Sequence, residues 1–265
     1  MPTHRMKLVV KDYNFNYQTN ILDQYDQSQL QKINECKHYV LNVPYGLRQH
    51  LQLDDEARYS LTVGKLAKLQ SYIISDCVTE CKMNPWRCRI TDGTASVGGN
   101  VIAFADFFYN INAIELDKNR AQMLLSNVKL LNLSHKVTVW HGDCANTTEV
   151  AQNMTQDVLF LDPPWLGPDY KKHAKLSLFL SGKSLRQVCI EWAPRTRIIA
   201  LKLPINFDYN EFFHESEKLP FSVMYSAVMG DDRAGNACVH LHGDPQTCPV
   251  QTPIMNILVL RTRPI

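Results

Sequence analysis

From Cys88 onward, apolar runs of strand length alternate with segments that have helical periodicity. Residues 157–161 (DVLFL) have the unbroken apolar character of a parallel strand buried on both faces. Other strands are predicted to end at Asp92 and to cover residues 111–115, 136–140, 197–203, 221–229 and 254–261, with helices at 101–108, 118–131 and 185–192. Such alternation requires crossovers between parallel strands, so we predict a doubly wound, mostly parallel seven-stranded sheet of the α/β class.

The first 70 residues lack this alternation. Apolar residues recur at near-helical spacing between residues 21 and 39, and a second helix is predicted from residue 63 to about residue 74. We expect a small helical N-terminal extension over residues 1–70 that contributes to the ligand pocket, followed by one α/β domain over residues 71–265. Between the last two strands, residues 230–253 are polar and are predicted to form a long loop.

Charge and composition exclude few functions. The chain has 28 Lys and Arg residues against 26 Asp and Glu residues, and its net charge of +2 neither requires nor excludes a nucleic-acid partner. No apolar run approaches the roughly 18 residues needed to span a bilayer, and the N-terminus has no long apolar signal region. We expect a soluble intracellular protein with no membrane partner, located in the nucleus or the cytoplasm.

The eight cysteines include no CxxC pair, so the sequence has no zinc-ribbon spacing. Reduced thiols that pack as small apolar side chains are expected instead. One group, Cys238, His240, His242 and Cys248, lies in the polar segment near the C-terminus. A metal site there is conceivable, but alternating histidines also fit one face of a strand, and we predict no metal.

A turn rich in small residues follows the first predicted strand, from Asp92 to Asn100 (DGTASVGGN). Ligands of doubly wound sheets bind outside the carboxyl ends of the strands, and small residues let the backbone approach a ligand closely. Gly-rich turns occur in many α/β proteins. This one lacks the GxGxxG spacing of dinucleotide enzymes, and the P-loop pattern GxxxxGK(S/T) is absent from the chain, which argues against NAD and ATP.

Acidic residues end the next two strands. Glu115 lies about twenty residues past the Gly-rich turn, where a carboxylate can accept both hydroxyls of a ribose. Asp143 follows the third strand and could accept a hydrogen bond from an adenine amine. Each acid taken alone is more typical of a solvated strand end. Together with Asp92 at successive strand ends, they favour a nucleoside ligand.

The fourth strand ends in Asp162-Pro163-Pro164-Trp165, the (D/N/S)PP(Y/F/W) pattern of amino-group methyltransferases. The two prolines fix φ and stiffen the loop, leaving carbonyl groups directed at a ligand. The Asp162 carboxylate and the Pro163 carbonyl can accept hydrogen bonds from an exocyclic amine. Trp165 offers a face on which a base can stack. This motif indicates methyl transfer to the exocyclic amine of a base.

Together these motifs resemble the trimethylguanosine synthase family, the cap guanine-N2 methyltransferases of the Rossmann-like class. The family's turn D-x-x-x-G-V-G-G-N is similar to residues 92–100, and its motif PPWGGPDY is similar to residues 163–170 (PPWLGPDY). Upstream, residues 53–62 (LDDEARYSLT) resemble the family segment LDREGWFSVT. The similarity covers about residues 39–205, and PPWxGPDY is much more specific than DPPW alone.

The resemblance implies a Rossmann-like class I methyltransferase fold with S-adenosylmethionine as its cofactor. The residues implied in cofactor binding are Ser60, Thr62, Asp92, Thr94, Ala95, Gly98, Asn100, Glu115, Asp143 and Asp162. Asp162, Pro163 and Trp165 would form the catalytic motif, with Trp165 stacked on a cationic 7-methylguanine. Those implied in substrate binding are Trp165, Asp169, Tyr170 and Lys202.

The chain departs from the family pattern at three places. Ser96 replaces the first glycine of the VGGN turn, and Leu166 replaces a glycine beside Trp165. The family's arginine after its F-L-P strand end is absent, because the run here is KLPIN (202–206). Lys202 is the predicted substitute for phosphate binding. The basic run at 171–175 (KKHAK) is an alternative, although such runs are usually solvated.

We therefore expect a monomeric methyltransferase that acts on the N2 amine of 7-methylguanosine in an RNA 5′ cap, with capped RNA as its partner. Two alternatives stay open. One is methylation of another base amine, adenine N6 or guanine N2 of ribosomal RNA. The other is a non-catalytic RNA-binding module on the same fold.

Overall fold

The computed structural model describes residues 43–214, 218–242 and 250–262. The strands are β1 (Arg89–Asp92), β2 (Asn110–Glu115), β3 (Val137–His141), β4 (Val158–Leu161), β5 (Phe179–Leu180), β6 (Lys183–Ser184), β7 (Ile198–Leu203), β8 (Phe221–Asp231), β9 (Ala237–Leu241) and β10 (Thr252–Thr262). The helices are α1 (Tyr45–Arg48), α2 (Asp55–Ser60), α3 (Gly64–Glu80), α4 (Gly99–Phe104), α5 (Lys118–Leu130), α6 (Thr147–Asn153), α7 (Leu185–Trp192) and α8 (Tyr209–Phe212). Every strand predicted from the sequence is present within one or two residues of its expected bounds.

The main sheet has the strand order β3-β2-β1-β4-β7-β10-β8-β9. Strands β3, β2, β1, β4 and β7 run parallel to one another. Strand β10 lies antiparallel between β7 and β8. The chain crosses from β1 outward to β3 and then back to β4, so the order reverses beside β1. This confirms the doubly wound, mostly parallel α/β class.

The sheet has eight strands rather than the expected seven, because part of the predicted loop at 230–253 is a strand. Strand β9 folds back on β8 through a turn closed by Asp232, whose Oδ1 accepts hydrogen bonds from the backbone N–H groups of Ala234 (2.8 Å) and Asn236 (2.9 Å). Gly235 completes the turn at φ +78°. Aspartate and glycine at these positions favour a tight reversal over an open loop.

Apolar side chains cover both faces of the sheet. On one face, Leu69 and Ile73 of α3 pack with the β-strands in one cluster. On the other face, Val188 and Trp192 of α7 pack in a second cluster. Side chains of the central strands alternate between the two clusters, as a sheet covered on both faces requires. Among the described helices, none has the length and apolar character needed to cross a membrane.

Helix starts follow from local capping. Asp117 caps α5 by accepting a hydrogen bond from the Arg120 N–H at 2.9 Å, and Ser184 caps α7 by accepting one from the Gln187 N–H at 3.2 Å. Both helices begin where the sequence predicts. Helix α4 is shorter than expected and ends at Phe104, because the chain turns there toward β2.

The segment before α3 packs against the carboxyl edge of the sheet. The Asn127 amide of α5 accepts a hydrogen bond from the Gln52 N–H (2.7 Å) and donates to the Gln52 and Val97 carbonyls (2.9 and 3.0 Å). The expected boundary at residue 70 falls inside α3. The division into an extension and a domain stays a prediction, and the helical spacing at residues 21–39 lies outside the described residues.

Candidate active site

The candidate site lies at the carboxyl ends of the parallel strands. Asp92 ends β1, Glu115 ends β2, Asp162 follows β4, and Lys202 lies near the end of β7. Because these strands run parallel, the four side chains are brought to one edge of the sheet, as the ligand rule for such sheets predicts.

The Gly-rich turn connects β1 to α4 across this edge. Gly98 has φ +106°, a left-handed conformation that glycine adopts without strain, and it precedes the first residue of α4. A Cβ on Gly99 would lie 2.5 Å from Cδ2 of Leu61, so the absence of a side chain lets the residues after α2 touch the turn. The Ala95 N–H donates to the Ile114 carbonyl at 2.9 Å, which ties the turn to β2.

Glu115 is held in place by the turn. Its Oε2 accepts a hydrogen bond from the Ser96 N–H at 2.8 Å, and its Oε1 accepts one from the Asp117 N–H at 2.9 Å. The Arg120 Nε lies 3.6 Å from Oε1, while the same guanidinium contacts Glu56 at 2.6 Å. Each carboxylate oxygen keeps a lone pair for a ligand.

Asp92 is fully buried, and only one of its carboxylate oxygens is paired among the described residues. Oδ1 accepts a hydrogen bond from the Thr94 N–H at 3.1 Å, whereas Oδ2 has no described hydrogen-bond partner. Burial raises the pKa of Asp92 to about 8, and the nearby carboxylates of Asp162 and Glu115 add to the rise. A buried oxygen without a partner is costly, so the carboxyl is poised to meet a donor or cation from a ligand.

Asp162 and Lys202 form a buried ion pair. The Lys202 Nζ lies 2.6 Å from Oδ2 of Asp162, and the side chains of lysine and aspartate are only 6% and 13% exposed. Burial raises the pKa of Asp162, and the Lys202 ammonium opposes that rise. The Asn100 amide lies 3.5 Å from the same oxygen, and the Asp162 N–H donates to the Thr94 hydroxyl at 2.7 Å.

Trp165 packs between the two core clusters and beside the ion pair. The Lys202 Nζ lies 4.9 Å from the centroid of the Trp165 ring, and the Tyr170 ring meets Trp165 edge-on at 5.1 Å between centroids. The indole N–H is buried and has no hydrogen-bond partner among the described residues. After Trp165 the chain reverses through Leu166 and Gly167, both with positive φ.

The loop after this motif is a 3-10 turn, Pro168–Lys172. The Asn206 side-chain amide fastens it by donating to the carbonyls of Tyr170 (2.9 Å) and His173 (2.7 Å). Burial raises the pKa of Tyr170. Asp169 lies on the exposed side of this turn: its side chain is 70% exposed and pairs with Lys172 at 2.8 Å.

The remaining predicted residues lie around this centre. The Gly142 N–H donates to the Glu115 carbonyl at 3.0 Å, which places Asp143 next to Glu115. Thr62 is buried with its hydroxyl unpaired by any described group, whereas Ser60 is exposed at the end of α2. Pro163, the second residue of the Asp162–Trp165 motif, is buried. Their predicted contacts with cofactor and substrate stay predictions.

Sequence reasoning missed three residues that hold the site. Gln70 of α3 donates to Oδ1 of Asn100 at 2.6 Å, Arg120 braces Glu115, and Asn206 fastens the 3-10 turn. Of these, only Arg120 had a local signal, a cation in the first turn of the helix after Glu115. Lys202 was expected to meet substrate phosphate, and its burial against Asp162 suits it better to holding that carboxylate.

The Cys238 segment contains no described metal cluster. Cys238 and His240 lie on β9, and the His242 Nδ1 lies 2.7 Å from the Ser226 hydroxyl. Cys248 lies outside the described residues. Within the described part of the chain, no group of three or more His, Cys, Asp or Glu side chains is arranged to hold a metal ion. Cys77, Cys88, Cys144 and Cys189 are buried thiols.

Solved structures similar to this chain include two proteins named as presumptive methyltransferases. A protein from Porphyromonas gingivalis superposes with a TM-score of 0.54 at 14% identity, over 86% of this chain and 55% of its own. A protein from Pyrococcus horikoshii, named as an RNA methyltransferase, superposes with a TM-score of 0.50 at 13% identity. The superposition covers 89% of this chain and 99% of that protein. These likenesses show the Rossmann-like methyltransferase fold.

Sequence comparison adds the family. An uncharacterized protein of Acanthamoeba polyphaga mimivirus is 32% identical over 183 residues, 62% of this chain and 71% of its own length. The trimethylguanosine synthase of Schizosaccharomyces pombe is 29% identical over 163 residues, 60% of this chain and 65% of its own. A family model described as RNA cap guanine-N2 methyltransferase matches residues 87–250, which include both motifs at the strand ends. The chain belongs to this family of methyltransferases.

Proposed function

We propose that the chain transfers a methyl group from S-adenosylmethionine to the exocyclic N2 amine of 7-methylguanosine in an RNA 5′ cap. The observation that carries the proposal is the Asp162–Trp165 motif, which presents a carboxylate and an aromatic ring side by side. The motif adjoins a Gly-rich turn and a fully buried carboxyl with an unpaired oxygen. Membership of the family supports guanine as the base.

The residues at the strand ends fit S-adenosylmethionine. The cofactor carries an ammonium and a sulfonium, and the pocket offers the carboxyl of Asp92 with an unpaired oxygen. Glu115, with both oxygens held by backbone N–H groups, suits the two hydroxyls of a ribose. Asp143 would meet the adenine. The other residues that we propose line the cofactor pocket are Ser60, Thr62, Thr94, Ala95, Gly98, Asn100 and Asp162.

When bound, the cofactor supplies an electrophilic methyl group, so the chain's own task is to orient the amine. Trp165 stacks on the base, and the Asp162 carboxylate with the Pro163 carbonyl accepts the amine hydrogens, which directs the nitrogen lone pair at the methyl group. The amine becomes cationic as the bond forms, and the Asp162 carboxylate stabilises that charge. Tyr170 and Asp169 would line the path of the cap beyond the base.

Replacing Trp165 tests the assignment of the base. We expect Trp165→Ala to raise KM for 7-methyl-GTP by about tenfold or more, since stacking on an aromatic ring contributes about 1–3 kcal/mol per base. S-adenosylhomocysteine should still bind, because Trp165 is not among the residues that we propose hold the cofactor. Mass spectrometry of 7-methyl-GTP, GTP and adenosine after incubation with cofactor identifies the methylated base.

Trp86→Ala is the matched control, since Trp86 is 52% exposed and precedes β1 at the opposite edge of the sheet. Its kinetics should equal those of the unaltered protein. Full activity of Trp165→Ala would show that the base does not lie on that ring. Methylation of adenosine alone would contradict the cap assignment.

A further inference from the structure

The Asp162–Lys202 pair is built into the sheet. Strands β4 and β7 are parallel neighbours in which Leu161 pairs with Leu201, so the next residue of each strand, Asp162 and Lys202, meet at the pocket. Their contact at 2.6 Å is nearly closed to solvent. Because a buried unpaired charge is strongly unfavourable, the Lys202 ammonium favours the ionised form of Asp162 and opposes the rise of its pKa that burial causes.

The same ammonium lies over Trp165. Its nitrogen is 4.9 Å from the ring centroid, which is the distance at which a cation gains from the ring's negative face. The face that Lys202 covers is shielded, since the lysine side chain is 6% exposed. The protein thus places its own cation on the ring that we propose stacks the base.

This arrangement has an electrostatic consequence for any base on Trp165. A base on the other face of the Trp165 ring would stack about 3.5 Å from it. Added to the distance from the ring to the Lys202 nitrogen, this places the base about 8 Å from that nitrogen. At that separation the repulsion between two unit charges in a protein pocket changes affinity by a factor on the order of ten. The Asp162 carboxylate beside the ammonium cancels most of this repulsion.

We propose that Asp162 is a specificity-determining residue: by pairing with Lys202, its carboxylate lets the pocket prefer a cationic 7-methylguanine over a neutral guanine. The inference rests on the proposed function for the identity of the base. With both charges present, the ring accepts a cationic base without net repulsion. Without the carboxylate, the remaining ammonium repels that base specifically.

The test is a ratio of two affinities measured on the same protein. Dissociation constants for GTP and 7-methyl-GTP are measured by calorimetry in the presence of S-adenosylhomocysteine. The pH is set just below neutrality, low enough for a cationic 7-methylguanine ring and no lower, because burial favours the protonated form of Asp162. The preference is the GTP constant divided by the 7-methyl-GTP constant. Losses of folding or of cofactor binding weaken both nucleotides and leave the ratio unchanged.

We expect Asp162→Asn to lower the preference by about tenfold, since the lysine cation is left without its partner. Lys202→Met removes the ammonium, and burial then favours the protonated form of Asp162, so the ratio should stay close to that of the unaltered protein. The double variant removes both charges and should return the ratio close to that of the unaltered protein. The double variant leaves neither charge of the pair buried, so its ratio of dissociation constants can be measured even if a single variant fails to fold.

Lys183→Met is the matched control. Lys183 forms an ion pair of nearly the same length, 2.7 Å, with Glu191 on α7 and donates to the Ala145 carbonyl, and no described contact joins it to Asp162 or Trp165. Its loss removes a positive charge but should leave the ratio unchanged.

The outcomes separate the two proposals. A ratio that is equal in all four pocket proteins would overturn the charge-pair proposal while leaving the proposed function intact. A ratio that falls in Asp162→Asn and stays near the unaltered value in the other two variants supports the pair. If the ratios follow this pattern but the unaltered protein methylates neither nucleotide, the pair stands and the proposed function fails. Absence of binding to both nucleotides would overturn both.

Discussion

Asp92 illustrates at the scale of one residue how a binding site opposes stability. Its carboxyl lies in the core beside two other carboxylates and has one oxygen without a described partner. A neutral amide of the same shape would remove the cost of burying that charge. In the function that we propose, this position favours ligand binding over stability of the empty protein.

The pH dependence of this cost follows from the pKa. Burial raises the pKa of Asp92 from 3.8 to about 8, so the folded protein holds a proton that the unfolded chain releases. The stabilising effect of that proton is fully present below about pH 4 and is lost as the pH rises through about 8. We expect Asp92→Asn to melt at a higher temperature than the unaltered protein at pH 8, with the difference vanishing toward pH 4.

Thermal melts across this pH range measure the effect. Asp169→Asn is the control, since it removes a carboxyl that is 70% exposed and should shift the melting temperature little at any pH. A difference between Asp92→Asn and the unaltered protein that stays constant with pH would contradict the assigned burial. The same variant should lose cofactor affinity, which links the gain in stability to the lost function.

The sequence predicted which residues lie at the carboxyl edge of the sheet better than it predicted their contacts. Asp92, Glu115 and Asp162 were predictable because each directly follows or ends an apolar strand. Gln70 was not, because its contact with Asn100 depends on how α3 packs on α4. Lys202 was assigned to phosphate for a similar reason: only the parallel register of β4 and β7 reveals that Asp162 is its neighbour.

At the scale of elements, the 3-10 turn Pro168–Lys172 is tied to a distant side chain. The Asn206 amide donates to the carbonyl of Tyr170 in the turn and to that of His173 directly after it, at 2.9 and 2.7 Å. Since Tyr170 of this turn packs edge-on against Trp165, the turn also supports the stacking ring. Loop geometry and base binding are therefore coupled through Asn206.

We expect Asn206→Ala to raise KM for 7-methyl-GTP several-fold while S-adenosylhomocysteine binds as before. Two lost hydrogen bonds should also lower the free energy of unfolding by about 1–3 kcal/mol. Steady-state kinetics and urea titration measure the two effects. Asn210→Ala is the control, because Asn210 is exposed and its side chain makes no hydrogen bond that the described residues show. Equal KM values for the two variants would contradict the coupling.

Elements were predictable where local signals agreed. Helix α7 matched its predicted bounds because Ser184 caps it and its apolar face is continuous. Strand β9 was not predicted, because its alternating residues are equally typical of a polar loop. Its pairing with β8 depends on the turn that Asp232 stabilises. Helix α3 runs six residues further than expected, since Cys77 and Val78 reach the core beyond the last long aliphatic residue.

At the scale of the whole molecule, the segment before α3 packs directly on the Gly-rich turn. Leu61 touches Gly99, and Asn127 joins Gln52 to Val97. A ligand that orders the turn should therefore also order residues 52–62. Binding at a concentration of about 100 times Kd contributes about 2.7 kcal/mol, enough to slow local opening.

We expect S-adenosylhomocysteine to slow hydrogen exchange at residues 94–100 and 52–62 together. Exchange read by mass spectrometry with and without the ligand gives the result. In Glu115→Ala, the ligand should no longer slow exchange in either segment. Glu56→Gln is the control, because Glu56 contacts Arg120 on its exposed side, and the ligand should still slow exchange in that variant. Protection confined to residues 94–100 would show that the N-terminal segment is not part of the pocket.

The antiparallel position of β10 also determines when the sheet can close during synthesis. Strands β7 and β8 are neighbours only through β10, which follows both of them in the chain. Until residues 252–262 leave the ribosome, β7 presents an unpaired edge next to Lys202, and β8 pairs only with β9. Unpaired edges of this kind invite association with other chains. The nascent protein is therefore most prone to aggregate at a stage when all the residues proposed for its pocket have already been made.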